Sequence, residues 1–206
     1  MEHFLDLTVD ADAEGHQRRR GSYDNYAAAR AQPVPEGLGD SEIEFLSQRD
    51  SFYLASVGVN GWPYVQHRGG PSGFVKVVDP SHLAWAERSG NRQYITAGHV
   101  DHDDRVAIIA VDYPNRQRLK LLGHARFEPD PAPGLLERIG IDGRLEGLVT
   151  VEVVAYDWNC PKYITPRFTA GDIRAVIQPL QQRIQQLEAA LSQVQHQPPI
   201  TIGALP

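Results

Sequence analysis

Two short runs carry side chains suited to holding an anion. The first, Gln66-His67-Arg68-Gly69-Gly70-Pro71, sets cationic and amide groups beside two glycines, and glycine lets a backbone come close to an anion or a planar ring. The second, Gly90-Asn91-Arg92-Gln93, stands where a helical turn or two over residues 91–97 is expected to begin. A helix start beside an arginine makes a phosphate site. Placed on adjacent strand ends, the two runs point to one phosphate-bearing ligand. Lys76, Arg118 and Lys120 fall on neighbouring strands and either add to that charge or serve solubility. A third run, Asp157-Trp158-Asn159-Cys160-Pro161 with Arg167 after it, puts a Trp just past a strand, where it closes over a pocket or packs under the segment that follows. His67 is the best acid–base candidate, because an imidazole titrates near neutrality. A positioning role is its alternative.

Other chemistries find little support. His99 and His102 stand among three aspartates in a polar connection that reads as a solvated loop, so no metal site is assigned. The nucleophile elbow G-x-S-x-G, the Walker loop and G-x-G-x-x-G are all absent. The single cysteine, Cys160, has no activating charge beside it and reads as a buried structural thiol, which also leaves no internal disulfide.

The elements that must position these residues read as follows. The chain has 206 residues, 41% hydrophobic and 22% charged, with a net charge of -6. That fits one soluble domain with extensions and argues against a protein that coats nucleic acid. No apolar run nears the ~20 residues of a membrane span. The acidic start lacks a secretory pattern, so a cytoplasmic location is expected. Residues 1–40 read as a weakly structured N-terminal arm with a short helix near 23–30, and Arg18-Arg19-Arg20 within it is solvated or touches a phosphate. A helix starts near Ser41, with Ser41 and Glu44 as its capping box or Asp40 as its cap. Strands follow over 52–59 and 62–68 around an Asn60-Gly61 turn, with Pro63 marking a strand start or an edge. Further strands are expected over 73–78, 83–87, 105–113, 118–128 (bulged at Gly123) and 148–158, with a helix over 131–139. Six or seven antiparallel strands with few helices between them suggest a barrel or sandwich.

The tail has another period. Ile173, Ile177, Leu180, Ile184, Leu187, Leu191 and Val194 step by four and three, the a/d seam of three heptads. Asp172 is the expected N-cap, and Pro179 kinks the helix or delays its start. So narrow a stripe pairs with another helix in a dimer, the favoured reading, or lies on its own barrel. Residues 169–195 thus form an amphipathic helix and 196–206 a disordered tail.

The ordered run of FYLASVGVNGWPYVQHRGG, GNRQYI, DDRVAIIAVDYPNRQRLKLLGHARF and DWNCPKYITPRF resembles the pyridoxamine 5'-phosphate oxidase-like family of flavin-binding split barrels, in its uncharacterised oxidase-related branch. The resemblance spans about residues 42–168 and implies a mainly β, α+β domain over 41–168, a six-stranded antiparallel split β-barrel with short helices. It also implies a homodimer with FMN at the subunit interface and an FMN-dependent oxidoreductase acting on a small molecule. The alternatives are a cofactor-binding sensor or carrier, or a barrel holding haem or a deazaflavin. By position, the resemblance assigns cofactor binding to Gln66, His67, Arg68, Gly69, Lys76, Asn91, Arg92, Gln93, Arg118, Trp158, Asn159 and Arg167. Trp158 and Arg167 would come from the opposite subunit. Residues 159–166 lack the arginine–histidine substrate motif of genuine oxidases, so oxidation of pyridoxamine phosphate is not expected.

Overall fold

The computed structural model describes residues 1–158 and 161–195. Cys160, Asn159 and the 196–206 tail therefore lie outside the described residues, along with the expectations attached to them. The chain divides into two compact units, Met1–Ile164 and Thr165–Pro206.

The first unit is an α+β fold built on one antiparallel sheet of seven strands, one more than the six of the split-barrel expectation. In chain order these are β1 (Ser51–Val57), β2 (Pro63–Gly69), β3 (Lys76–Asp79), β4 (His82–Glu87), β5 (Arg105–Asp112), β6 (Gln117–Glu128) and β7 (Gly147–Trp158). Their spatial order is β2-β1-β5-β6-β7-β4-β3, so the ladder is open, as in a split barrel. Alternation decides which face is inside: Val106, Ile108 and Ala110 of β5, and Leu119, Leu121 and Ala125 of β6, are buried. Phe52 and Leu54 from β1, Leu83 and Trp85 from β4, and Val149, Val151 and Val153 from β7 join the same core. The β6–β7 register shifts between Leu122 and Gly123. A Cβ on Gly123 would run into the Glu152 carbonyl, so the expected bulge sits where only glycine fits.

The helices close the sheet. α4 (Asp40–Ser47) buries Phe45 and Leu46. Its cap differs from expectation: the Glu42 carboxylate accepts from the Gly39 N–H at 2.9 Å, so the box sits two residues before Ser41 and Glu44. Arg49, just past α4, is buried and pairs with Asp112 at 2.9 Å, tying the α4–β1 turn to the end of β5. Its Nε also donates to the Phe45 carbonyl at 3.1 Å. Burial pushes the Asp112 carboxyl up, but hydrogen bonds from Asn115 and the Arg49 guanidinium outweigh it and hold the group below its ordinary value. α5 (Ile95–Val100) and α6 (Pro133–Ile139) complete the connections.

The N-terminal arm is more ordered than its composition suggests. It forms α1 (Phe4–Thr8), α2 (Ala11–Arg20) and α3 (Tyr23–Arg30). Arg30 joins them by bonding Asp6 at 2.6 Å and Glu14 at 2.9 Å. The Glu2 N–H bonds the Val154 carbonyl of β7 at 2.7 Å. Within the basic triplet, Arg18 lies 3.3 Å over the Tyr23 ring and pairs with Glu14 at 3.5 Å.

The second unit is α7 (Ala170–Gln195), a 26-residue helix with Pro179 inside it. The N-cap is Thr169, not Asp172: the Asp172 N–H donates to Thr169 Oγ1 at 3.1 Å, and Asp172 Oδ2 accepts from the Thr169 N–H at 2.8 Å. Among the described residues, no helix is long and apolar enough to cross a membrane.

Candidate functional site

The two edge strands of the ladder, β2 and β3, line one cavity together with β4. The sheet therefore curls until its ends face each other, but no backbone ladder joins them. A side-chain clasp spans the gap: the Arg68 guanidinium of β2 is ion-paired with the Glu87 carboxylate of β4. Both side chains are largely buried, 13% and 20% exposed. Burial pushes the Glu87 carboxyl above its ordinary value, and Glu146 adds to the rise, against the pull of Arg68. The cavity in this split has a volume of about 550 Å3.

Strand alternation selects what β2 offers. Tyr64, Gln66 and Arg68 are the half-buried set. Gln66 Oε1 accepts from Thr96 Oγ1 of α5 at 3.0 Å, which fixes the amide across the cavity. His67 lines the cavity too, but it belongs to the other face of the strand, with its ring edge-on to Tyr53 at 5.4 Å. Gly69 ends β2, opposite Ser51 of β1. Lys76, on β3, lines the cavity and makes no ion pair among the described residues.

Asn91, Arg92 and Gln93 also line the cavity, from a loop and not from a helix start. α5 begins only at Ile95 and runs for six residues, so the helix N-terminus expected at Asn91 is not there. The loop is held by its own side chains instead. Asn91 Oδ1 accepts from the Gln93 N–H at 3.1 Å, an Asx turn. Arg92 and Tyr94 both have left-handed backbone, with φ 57 and 48. Conformations like these cost of order 1–3 kcal/mol each and cluster at ligand clamps. Glu146 offsets that strain by accepting from Arg92 Nε at 3.2 Å and from the Tyr94 hydroxyl at 3.0 Å. Burial pushes the Glu146 carboxyl up, but bonds from Tyr94, Ser89 and Arg92 bring it below its ordinary value. The Tyr94 hydroxyl is raised in turn, chiefly by its bond to Glu146. Arg88 braces the opposite strand end on the Asp142 and Arg144 carbonyls, each at 3.2 Å.

Two lining residues hold donors without partners. Arg68 Nε and Trp85 Nε1 are both buried and unbonded among the described residues. Trp85 is only 2% exposed and packs edge-on to Phe52 at 5.1 Å. An unsatisfied buried donor costs about 1–3 kcal/mol. Two beside one cavity mark a place where a ligand or ordered water accepts from the protein. Neither Trp85 nor the two acids, Glu87 and Glu146, stood out in the sequence. Trp85 lay unremarked within the strand expected over 83–87, and Glu146 meets Arg92 from 54 positions along the chain.

Arg118 and Trp158 lie outside the lining of this cavity. Arg118 sits on β6 opposite Val111, outside the lining, with its Nε buried and unbonded among the described residues. Trp158 ends β7, donates from Nε1 to Glu42 at 2.5 Å and packs edge-on to Phe45 at 4.8 Å, so within its own chain it pins α4 to the sheet. Arg167 precedes α7 in the second unit. His99 lies not in a solvated loop but in α5, its Nδ1 2.9 Å from the buried Ser56 hydroxyl. Among the described residues, no group of three or more His, Cys, Asp or Glu is placed to hold a metal.

Comparison with known proteins gives one family match, the model described as Pyridoxamine 5'-phosphate oxidase, over residues 40–139. No curated protein matches. Among solved structures, a Lactobacillus delbrueckii protein provisionally named pyridoxamine 5'-phosphate oxidase is 21% identical, with 60% of this chain and 95% of that one covered and a TM-score of 0.47. HupZ of Group A Streptococcus is 13% identical, with 64% and 100% covered and a TM-score of 0.47. An F420 reductase is 21% identical, with 60% and 98% covered and a TM-score of 0.39.

Proposed function

Over residues 40–139 the chain is pyridoxamine 5'-phosphate oxidase-like, and from that premise we propose that the split between β2 and β4 binds FMN and that the protein is an oxidoreductase acting on a small molecule, with NAD(P)H or dioxygen as co-substrate. One observation carries the reading: two buried donors unbonded among the described residues, Arg68 Nε and Trp85 Nε1, belong to residues lining a cavity of about 550 Å3 that Lys76 and Arg92 also line. The volume lies within the roughly 300–1,000 Å3 of small-molecule sites. The donor set fits a ligand with an anionic end and a hydrogen-bonding ring.

In this reading Arg92, Lys76, Asn91 and Gln93 hold the phosphate, and Gln66, Arg68 and Trp85 face the ring. A bound flavin would supply the redox chemistry, while the protein supplies orientation and a positive environment. The phosphate must compete with Glu146, which already engages Arg92 and the Tyr94 hydroxyl. Arg68 carries its charge in a pair with Glu87, so it positions more than it attracts. Trp158, 37% exposed, together with Asn159, Arg118 and Arg167, would serve the cofactor site of a second chain in a homodimer. Without the arginine–histidine motif in residues 159–166, the substrate is another small molecule than pyridoxamine phosphate.

A second reading, a cofactor-binding sensor or carrier, draws on the same pairing. Arg68 and Arg92 are each matched by a carboxylate. Sustained turnover with NAD(P)H separates the two readings. The binding test is the absorbance of purified protein after FMN is added and the excess removed. Bands near ~375 and ~450 nm at about one flavin per chain are the expected result, since the protein only tunes the cofactor's own spectrum. Retention of haem or a deazaflavin in its place overturns FMN. Arg92→Ala should weaken FMN markedly, and an affinity unchanged within about twofold removes Arg92 from the phosphate site.

A further inference from the structure

We propose that α7 pairs with α7 of a second copy as a parallel, in-register, two-stranded coiled coil. The inference rests on α7 alone and is independent of what the cavity binds. The described seam residues Ile173, Ile177, Leu180, Ile184, Leu187 and Leu191 are between 44 and 58% exposed. Half-exposed apolar residues at strict 4,3 spacing form a stripe narrower than a globular protein's helix needs, and its width suits one other helix.

The kind of residue at each position selects the partner. With Ile177 and Ile184 at a, Leu180 and Leu187 take d, and the exceptions, Ile173 and Leu191, stand at the two ends. Ile at a with Leu at d favours two parallel strands. Pro179 falls at c, on the side away from the seam, so the interruption of its backbone ladder leaves the stripe continuous.

Charge complementarity then sets orientation and register. In a parallel, in-register pair each g residue faces the e residue of the next heptad on the partner. Arg183 is at g and Glu188 is the e residue it would meet, and twofold symmetry makes that contact twice. Among the described residues of the chain neither makes an ion pair, and Arg183 reaches the Gln186 amide oxygen at 3.4 Å. An antiparallel pair sets e against e and g against g: Glu188 then meets Arg174, but Arg183 finds Val176, Ala190 or a second Arg183 and no acid, so the parallel pair alone matches both Arg183 and Glu188 without a like-charge contact, in keeping with the Ile and Leu positions.

The test uses the full chain. Sedimentation equilibrium should show a dimer whose dissociation constant rises about tenfold in Arg183→Glu and in Glu188→Arg, because two attractive contacts become two repulsive ones. The double swap should return it to within about threefold of the parent. Leu187→Cys, in a Cys160→Ser background under a glutathione buffer, should form an inter-chain disulfide, because d residues of a parallel pair meet across the seam. Both swapped sites are exposed, and circular dichroism checks that the helix persists. A monomer, single swaps without effect on the dimer, or the absence of the cross-link overturns the proposal. That holds whether the seam then lies on its own barrel, pairs antiparallel or takes a foreign helix.

Discussion

Removing Arg68 should be far more damaging than neutralising its partner. Arg68→Ala leaves the Glu87 carboxylate, 20% exposed in the native chain, facing the split of the barrel without its counter-charge. Taking one member out of a buried pair costs about 3–5 kcal/mol, and partial exposure places this pair near the lower end. For a domain of this size about 3 kcal/mol lowers Tm by roughly 6–12 °C. Glu87→Gln keeps an acceptor for Arg68 and removes a carboxylate whose ionisation the fold already disfavours, so its loss should be about 1 kcal/mol or less. The pH dependence follows from the direction of the Glu87 shift. Its folded value is raised, so the native state holds this proton more tightly than the unfolded chain does. The group's contribution to stability is fully present below its unfolded value and is lost as pH rises through the folded one. Arg68→Ala raises the folded value further. The deficit of that variant should therefore shrink between pH 7 and pH 5, as Glu87 protonates. Urea unfolding at both pH values, with the double variant to close the cycle, measures each quantity. Equal losses in the two single variants, a loss under about 0.5 kcal/mol for Arg68→Ala, or a deficit that does not change with pH would refute the reasoning.

Other perturbations follow from the same contacts. Glu146→Gln removes the carboxylate that competes with a phosphate for Arg92 and Tyr94, so FMN should bind about twofold to fivefold more tightly in a flavin-fluorescence titration. Asp112→Ala strands the buried Arg49 and removes two bonds to Asn115, and should lower the unfolding free energy by about 3–5 kcal/mol in urea. Because the Asp112 carboxyl is held below its ordinary value, its contribution is present above the unfolded value and is lost as pH falls through the folded one. The parent chain should thus lose more stability than Asp112→Ala when both are taken from pH 6 to pH 2.

The strands were legible in the residues because alternation is a local signal. RVAIIAVD and LVTVEVVAYDW announce their buried faces, Asn60-Gly61 marks its hairpin, and Gly123 its bulge. Pro63 starts β2, an edge strand, as a missing N–H requires. The N-terminal helices were hidden for the opposite reason. α2 reads ADAEGHQRRR, with no apolar stripe. What holds it is the Asp10 cap, a left-handed Gly21 at its end and the ion pair from Arg30 to Glu14, which a period search does not see. The site divided in the same way. Gln66, Arg68 and Lys76 stand on strands that could be read, although which of their neighbours face inward could not. Glu87 and Glu146 matter only because the curled sheet and a loop closure bring them to Arg68 and Arg92, and nothing in their neighbours along the chain shows it.

The strand order also governs when the cavity can come into being during synthesis. β1 finds β2 at once and β5 soon after, so half of the sheet can assemble early. Among the described residues the β3–β4 hairpin has no other strand partner than β7, which leaves the ribosome much later. Until then Leu83, Ala84 and Trp85, buried in the finished fold, belong to a hairpin with an open edge. Such an edge invites pairing with other nascent chains. Pairing so distant in sequence is slow to nucleate. A nascent chain stalled before Gly147 would carry β2 without its opposing wall, and would have neither the clasp nor a pocket to fill.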